Sequence, residues 1–509
     1  MAEQGAKKWF ITITVILAAM LELVDTTVVN VSLPQIMGNL GATLNDVAWV
    51  ITAYGIANVI IIPMTSWLSS KFGRRQYFIF SILLFTAASF FCGNATNIWE
   101  LILFRFIQGL GGGGLLSTSQ AILMETWPKE ELGMAMALFG LGVVFAPTFG
   151  PTLGGWITDN YSWPWVFFIN LPLGLFAAWM AFTFIGESKY RQIIDYNDWW
   201  GIILLVVWVG SLQVVLERGE AEDWFDTGYI TLLTFTAVVG FALFVWRELS
   251  IEHPVVNLRV MKSTSLSLGM FFTFILGFGL FGSVFLFPVF CQNILGFTAN
   301  QTGTLMIPGG MIMIVCMPVI GTLIRKGVNP KILAGLGFTI FFLYNYTLMH
   351  YNADSSHNDF FFPLILRSVG MSLLFVPLTT ISLSSIPPHE IAQGTAMNNM
   401  MRQLGGAFGI ALMSTVLTNR IGFHSARLGD NFNNYNTAFT SQFNSAVANF
   451  MSKGYSLEAA QNLAYKFLDG RMMKQASVLA YSDVYLVVGG FMLICIPLIL
   501  LLKYKPQGK

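Results

Sequence analysis

The chain has 509 residues, 55% of them hydrophobic and only 10% charged, with a mean hydropathy of +0.65 and a formal net charge of +1. So apolar a composition belongs in a membrane rather than in a soluble domain, and the near-zero charge argues against nucleic acid as a partner. The four cysteines, Cys92, Cys291, Cys316 and Cys495, are scattered through apolar runs without pairing or metal spacing and read as small core residues.

The first apolar stretch, Trp9 to Pro34, is long enough to cross a bilayer as one helix. Lys7 and Lys8 precede a run too long for a signal-peptide core, and no convincing cleavage site follows, so it is expected to stay attached as the first span. Glu22 and Asp25 lie well inside this run, where a carboxylate is expensive to keep and marks a function. Three residues apart, the two acids share a face that can turn into a protein interior. Burial beside a like charge is a setting in which a carboxyl can load and release a proton. The competing reading has both acids near the outer end, reaching toward the headgroups.

About fourteen apolar runs of roughly twenty residues are found along the chain: 10–33, 47–69, 77–96, 100–123, 133–157, 163–185, 199–217, 227–247, 265–291, 302–324, 331–351, 361–384, 394–418 and 478–502. An even count returns both ends to one side. Basic residues such as Lys71, Arg74, Arg75, Lys189, Arg191, Arg325, Lys326 and Lys505 collect in the loops on that side, whereas the short opposite loops hold only Arg218, so both termini are expected to be cytoplasmic. Arg105, Arg367 and Arg402 fall inside predicted spans and need acidic, carbonyl or water partners.

The runs divide into six, a pair, and six. This layout predicts an all-α integral membrane protein with an N-terminal six-helix bundle at 1–190, two inserted helices at 191–255, and a C-terminal six-helix bundle at 256–509. Asp195 and Asp198 bracket the start of the inserted pair, where Trp199 and Trp200 suit the headgroup level. The one sizeable polar region, 419–477, is predicted to lie outside. Ser456 can cap a helix there whose stripe of Leu457, Ala460, Ala464, Phe467 and Leu468 must bury itself, either on the protein's own outer surface or against a partner.

Four stretches carry motifs. In SWLSSKFGRR (66–75), Gly73 permits a sharp turn, while Lys71, Arg74 and Arg75 bind headgroups or helix carboxyl ends. The fourth span, LILFRFIQGLGGGG, places Arg105, Gln108 and Gly109 within one turn. Arg105 there can bias a nearby acid toward its ionised form, or serve as a structural cation tied to carbonyls. Gly111 to Gly114 supply close packing and bending rather than a phosphate cradle. In the fifth span, Gly142, Ala146, Gly150 and Gly154 recur every four residues as a smooth ridge, bent by Pro147 and Pro151. In 394–409, GTAMNNMMRQLGGAFG, Asn398, Arg402, Gly405 and Gly409 share one face suited to a polar gating contact followed by a close helix crossing.

These stretches, with LVDTTVVNVSLP (23–34) and ILGFTANQTG (294–303), resemble the fourteen-span drug:proton antiporter family of the major facilitator superfamily, and its EmrB type most closely. The loop motif departs from the family pattern at Ser66, where Gly is usual, and at Ser70, where Asp is usual, which puts the charged inner latch in doubt. The fifth-span stretch is similar to the motif that separates exporters from symporters, although helix packing alone also accounts for it. The resemblance implies two six-helix halves plus two central helices around a substrate cavity. It also implies proton-driven export of hydrophobic or amphipathic compounds from a bacterial inner membrane, in company with a periplasmic adaptor and an outer-membrane channel.

On this reading Asp25 carries the proton, modulated by Glu22 or Arg105. Asn30, Tyr54, Asn58, Gln292 and Asn398 are the candidate polar lining of the cavity, while Gly73, Arg74, Gly142, Pro147, Gly150, Pro151, Gly154 and Arg402 serve gating or packing. No cofactor is required. A dedicated exporter of one metabolite, such as a fatty acid, siderophore or amino acid, is the alternative within transport. A membrane enzyme is disfavoured because His253, His350, His357, His389 and His424 form no cluster, and a non-transporting sensor because acids and arginines lie inside the spans.

Overall fold

In hydrocarbon each backbone N–H and C=O must be satisfied within the protein, so runs this apolar fold as helices. The computed structural model describes residues 5–188, 198–252, 254–384, 386–433 and 435–501 and has no strand among them. Asp195, Lys189, Arg191, His253 and Lys505 lie outside the described residues. In chain order the helices are α1 (Ala6–Leu40), α2 (Leu44–Phe72), α3 (Arg74–Gly93), α4 (Ile98–Thr126), α5 (Leu132–Asn160), α6 (Trp165–Phe168), α7 (Asn170–Phe184), α8 (Trp199–Arg218), α9 (Gly228–Ser250), α10 (Thr264–Asn293), α11 (Ala299–Arg325), α12 (Pro330–Leu348), α13 (Phe361–Ser384), α14 (Ile391–Gly429), α15 (Thr437–Ser452) and α16 (Leu457–Leu498).

Each predicted apolar run overlaps one of these helices, and 163–185 is split between α6 and α7. Among the described residues, twelve helical stretches are long and apolar enough to cross a membrane. Thirteen are if α5 is included, which bends by 41° between Leu132–Pro147 and Phe149–Asn160. Pro147 and Pro151 stand at that bend, each lacking a backbone donor. The remaining run, in α14, falls below that hydropathy because Asn398, Asn399, Arg402 and Gln403 stand within it.

Helices α1 to α7 pack on one another, with α4 wedged between α2 and α3 and α1 laid along α5. Helices α10 to α14 and α16 form a second packed group, in which α10 lies along α14 and α12 along α13. The two groups meet where α5 runs beside α11 and where α14 meets α2 and α4. The pair α8 and α9 packs on itself, and α8 also touches α2 and α14. Its connecting loop is tied to both groups: Arg218 donates to Asn45 of α2, Trp224 Nε1 donates to Thr415 of α14 at 3.1 Å, and Thr418 donates to Glu220 at 2.7 Å.

The polar region departs from the sequence expectation in its continuity. The span predicted at 478–502 and the separate capped helix before it are one 42-residue helix, α16, and α14 likewise runs on to Gly429. At 1.5 Å per residue α16 is about 63 Å long, roughly twice the ~30 Å hydrocarbon thickness. Helices α14, α15 and α16 therefore form a projection. Ser456 caps α16 by accepting from the Ala459 N–H. Ala460 and Ala464 pack with Val447, Phe443 and Phe450 of α15, so this part of the stripe is covered by the protein itself, while Leu457 and Phe467 remain exposed. At the base of the projection, Asp483 of α16 accepts from Arg420 at 2.6 Å and bonds to His424 at 2.7 Å, both on α14.

Candidate functional site

Glu22 and Asp25 are both buried, at 4% and 1% exposed, and not at a helix end. They nevertheless meet different surroundings. Asp25 turns into the interior of the first helix group, where Arg105 Nη1 lies 2.5 Å from its Oδ2. Its Oδ1 accepts from Gln108 Nε2 at 2.9 Å and from Asn170 Nδ2 at 2.8 Å. Gln108 also donates to Ser89 at 2.7 Å, and Arg105 donates to the Gln108 carbonyl at 2.7 Å and to the Val50 backbone at 3.3 Å. Tyr54 covers the guanidinium, its ring centroid 4.1 Å away. The charge of Asp25 on α1 is thus neutralised by one cation from α4 and fixed by two amides, one from α4 and one from α7.

Glu22, less than one turn earlier, faces the seam between the groups. Asn58 Nδ2 of α2 donates to its Oε1 at 2.9 Å, while Oε2 makes no hydrogen bond. Arg402 of α14 lies within electrostatic reach across the seam and is itself buried, with Nη1 unpartnered. Beside them, Asn399 of α14 donates to Gln120 Oε1 at 2.9 Å and to Ser117 at 3.3 Å, both on α4. The helix on which sequence placed Asn398 and Arg402 therefore bridges the two halves mainly through the neighbouring Asn399.

The other cavity candidates do not gather at one point. Asn58 holds Glu22, and Tyr54 stacks on Arg105. Asn398 turns into the second group and accepts from Thr273 at 2.8 Å and Ser382 at 3.0 Å. Asn30 is exposed on the half of α1 beyond Asp25, and Gln292 is exposed in the last turn of α10. Ser89, Asn170, Gln120, Ser117 and Asn399 complete the polar contacts but were not singled out from sequence.

The motif residues act through close approach. A Cβ on Gly109 or Gly113 would lie 2.5 Å from the backbone oxygen of Tyr54 or Asn58, and one on Gly111 would lie 2.6 Å from the Phe85 nitrogen, so α4 is clamped by α2 and α3 together. The fifth-span ridge presses on α1: Gly142 on Ile16 and Met20, Gly150 on Thr27, Gly154 on the Val28 backbone. The helix carrying both acids is thus seated in the proline-bent helix. On α14, Gly405 and Gly409 lie against the Phe274 and Phe278 carbonyls of α10. Gly73 has φ of +91°, the turn that glycine permits. In the same loop, Arg74 Nη1 lies 2.5 Å from Glu125 of α4, which also accepts from Ser188 at 3.0 Å. Arg75 donates to the Phe182 carbonyl in the last turns of α7 at 2.6 Å.

Residues 15–410 match the Major Facilitator Superfamily. The chain is 36% identical over 435 residues, 85% of each chain, to the multidrug export protein EmrB of Haemophilus influenzae. It is 32% identical to the fatty acid resistance protein FarB of Neisseria gonorrhoeae, covering 98% of this chain and 97% of that one. The human organic anion transporter MFSD10 shares the fold, with a TM-score of 0.59 at 15% identity over 96% of this chain and 100% of that one. Twelve or thirteen apolar spans, the two packed groups with acids and arginines in their interiors, and these likenesses lead to one assignment: the chain is a multi-pass inner-membrane transporter, not an enzyme, and belongs to the major facilitator superfamily in the EmrB-type group of export proteins.

Proposed function

We propose that this protein is a proton-coupled antiporter that exports hydrophobic and amphipathic compounds by rocking its two bundles, 1–190 and 256–509, about a central site. Its termini face the cytoplasm, and substrate comes from the cytoplasm or inner leaflet. The observation that carries this reading is Glu22, a buried carboxyl at the seam with one oxygen unpartnered and Arg402 of the opposite half within reach. A carboxyl in that position gains or loses its cationic neighbour as the halves separate, and its proton affinity changes with it. Asp25 with Arg105 is the second protonation site, since a proton on Asp25 frees the guanidinium one helix away. Asn58 beside Glu22 contributes to the polar wall, with Asn30 and Gln292 nearer the outer mouth, while Tyr54 and Asn398 act behind it by covering Arg105 and by bonding Thr273 and Ser382. The contacts of Asn399 with Gln120 and Ser117 support a state closed toward the cytoplasm.

The projection of α14, α15 and α16 is the contact for a periplasmic adaptor, which leads to an outer-membrane channel. Tyr435, 97% exposed, together with Tyr455, Leu457 and Phe467, offers apolar anchors on it. A dedicated fatty-acid exporter is the second reading, favoured by the likeness to FarB.

Proteoliposomes with an imposed pH gradient test both readings. Gradient-driven accumulation of several unrelated lipophilic dyes, abolished by Asp25→Asn, is the expected result. Transport of a fatty acid alone supports the second reading, and dye movement indifferent to the gradient contradicts proton coupling.

A further inference from the structure

Three arginines are 1% exposed in the spans, and they are not equally provided for. Arg105 has Asp25 at 2.5 Å, and Arg402, though in no direct ion pair, has the Glu22 carboxyl within electrostatic reach across the seam. Arg367, on α13, forms no ion pair with any carboxylate among the described residues. Its Nε donates to Ser283 of α10 at 3.1 Å, and its Nη2 has no partner. Tyr344 stands on α12, which packs along α13, and Tyr485 on α16, which packs along α12, and both phenols lie within electrostatic reach of the guanidinium. Both tyrosines are buried, and both hydroxyls lack a hydrogen-bond partner.

The two halves make the omission plain. Helix α10 packs on α13 as α1 packs on α4. Arg367 stands in an early turn of α13, as Arg105 does of α4, and Ser283 lies as far along α10 as Asp25 lies along α1. The second half thus repeats the first with the cation kept and the acid replaced by a hydroxyl. A buried guanidinium without a counter-charge is strongly unfavourable, and two buried phenols with free hydroxyls add unused donors on two further helices. One guanidinium N–H and two O–H donors on a full positive charge, with no carboxylate to oppose an incoming anion, make an anion receptor.

We propose that Arg367, Tyr344 and Tyr485, backed by Ser283, form a binding site for a monovalent anionic group, a halide or a carboxylate, in the interior of the C-terminal bundle. The site is separate from the Glu22 and Asp25 cluster and does not depend on the proton-coupling reading. Its ligand comes either from solution, as a small ion, or from the membrane, as the carboxylate head of an amphiphile.

Thermal unfolding of the purified full-length protein in detergent tests this, with sodium chloride, formate or laurate titrated against the sodium salt of the bulky sulfonate MES at fixed ionic strength. The parent is expected to show a saturable rise in Tm that is lost in Tyr344→Phe/Tyr485→Phe, which removes only hydroxyls, and in Arg367→Gln. A rise with chloride or formate assigns a small ion, and a rise with laurate alone assigns an amphiphile headgroup. The proposal is overturned if the parent responds no more to any of the three than to MES, or if the phenylalanine double variant responds as the parent does. That variant keeps the test open if Arg367→Gln does not fold.

Discussion

Asp25 and Glu22 stand within one turn of α1, yet their partners assign them different work. Asp25 is matched by a cation and two amide donors, so removing the cation leaves a desolvated charge that nothing else nearby neutralises. Loss of one partner of a buried ion pair costs about 3–5 kcal/mol. Arg105→Ala is therefore expected to lower the thermal stability of the purified protein sharply, and adding Asp25→Asn to it is expected to recover much of the loss. Differential scanning of the two single variants and the double variant measures this, and strictly additive losses would show that the two side chains do not share one charge balance. The acids, Arg105 and Gln108 were legible in the sequence because each violates an apolar run. Asn170 was not, since an asparagine among apolar residues has no direction until the break between α6 and α7 aims it at Asp25. Asn399 was missed for a related reason. A shift of one residue turns a side chain by roughly 100° around a helix, so Asn398 turns into the second group while Asn399, three residues before Arg402, meets Gln120.

Glycine patterns in the helices are contact maps, and they tell more about packing than about ligands. The four-residue recurrence in α5 correctly predicts a ridge, and the structure adds that the pressed helix is α1. Gly113 and Gly335 provide a matched pair for testing this kind of contact. A Cβ at Gly113 would lie 2.5 Å from the Asn58 backbone oxygen, whereas one at Gly335 meets nothing within 4 Å. Gly113→Ala is expected to destabilise by about 1–3 kcal/mol through overpacking. Gly335→Ala is expected to be neutral or slightly stabilising, since alanine favours a helix by up to ~1 kcal/mol over glycine. Midpoints of thermal unfolding in detergent give the comparison, and equal effects at the two positions would refute the close α2–α4 contact. Element existence was readable from hydropathy, but element continuity was not. Outside the membrane α14 and α16 need only a narrow apolar stripe, so the polar composition of 419–477 looks like a break where the helix axis simply continues. Likewise the pairing of Arg74 with Glu125, distant in sequence, could not be inferred from the loop around Ser70; it joins α3 to α4 within one half.

For the whole molecule, the halves meet in two ways, by close apolar packing of α5 along α11 and by polar contacts of α14 with α2 and α4, while each half is held together by broad apolar packing of its own. Glu22, Asn58, Asn399, Gln120 and Arg402 lie on that seam, and the loop joining α8 and α9 holds α2 and α14 from the outside. The all-helical, many-span fold was visible in the apolar runs, whereas the choice of which acid meets the opposite half required the packing of α1. The central claim is that the Glu22 carboxyl exchanges a proton for substrate. Proton release by the purified protein in weakly buffered detergent solution, on addition of a lipophilic cation such as ethidium, tests it most directly. The account predicts a pH drop on substrate binding by the parent and none by Glu22→Gln. An equal drop in the two proteins, or binding by the parent with no proton released, would contradict it.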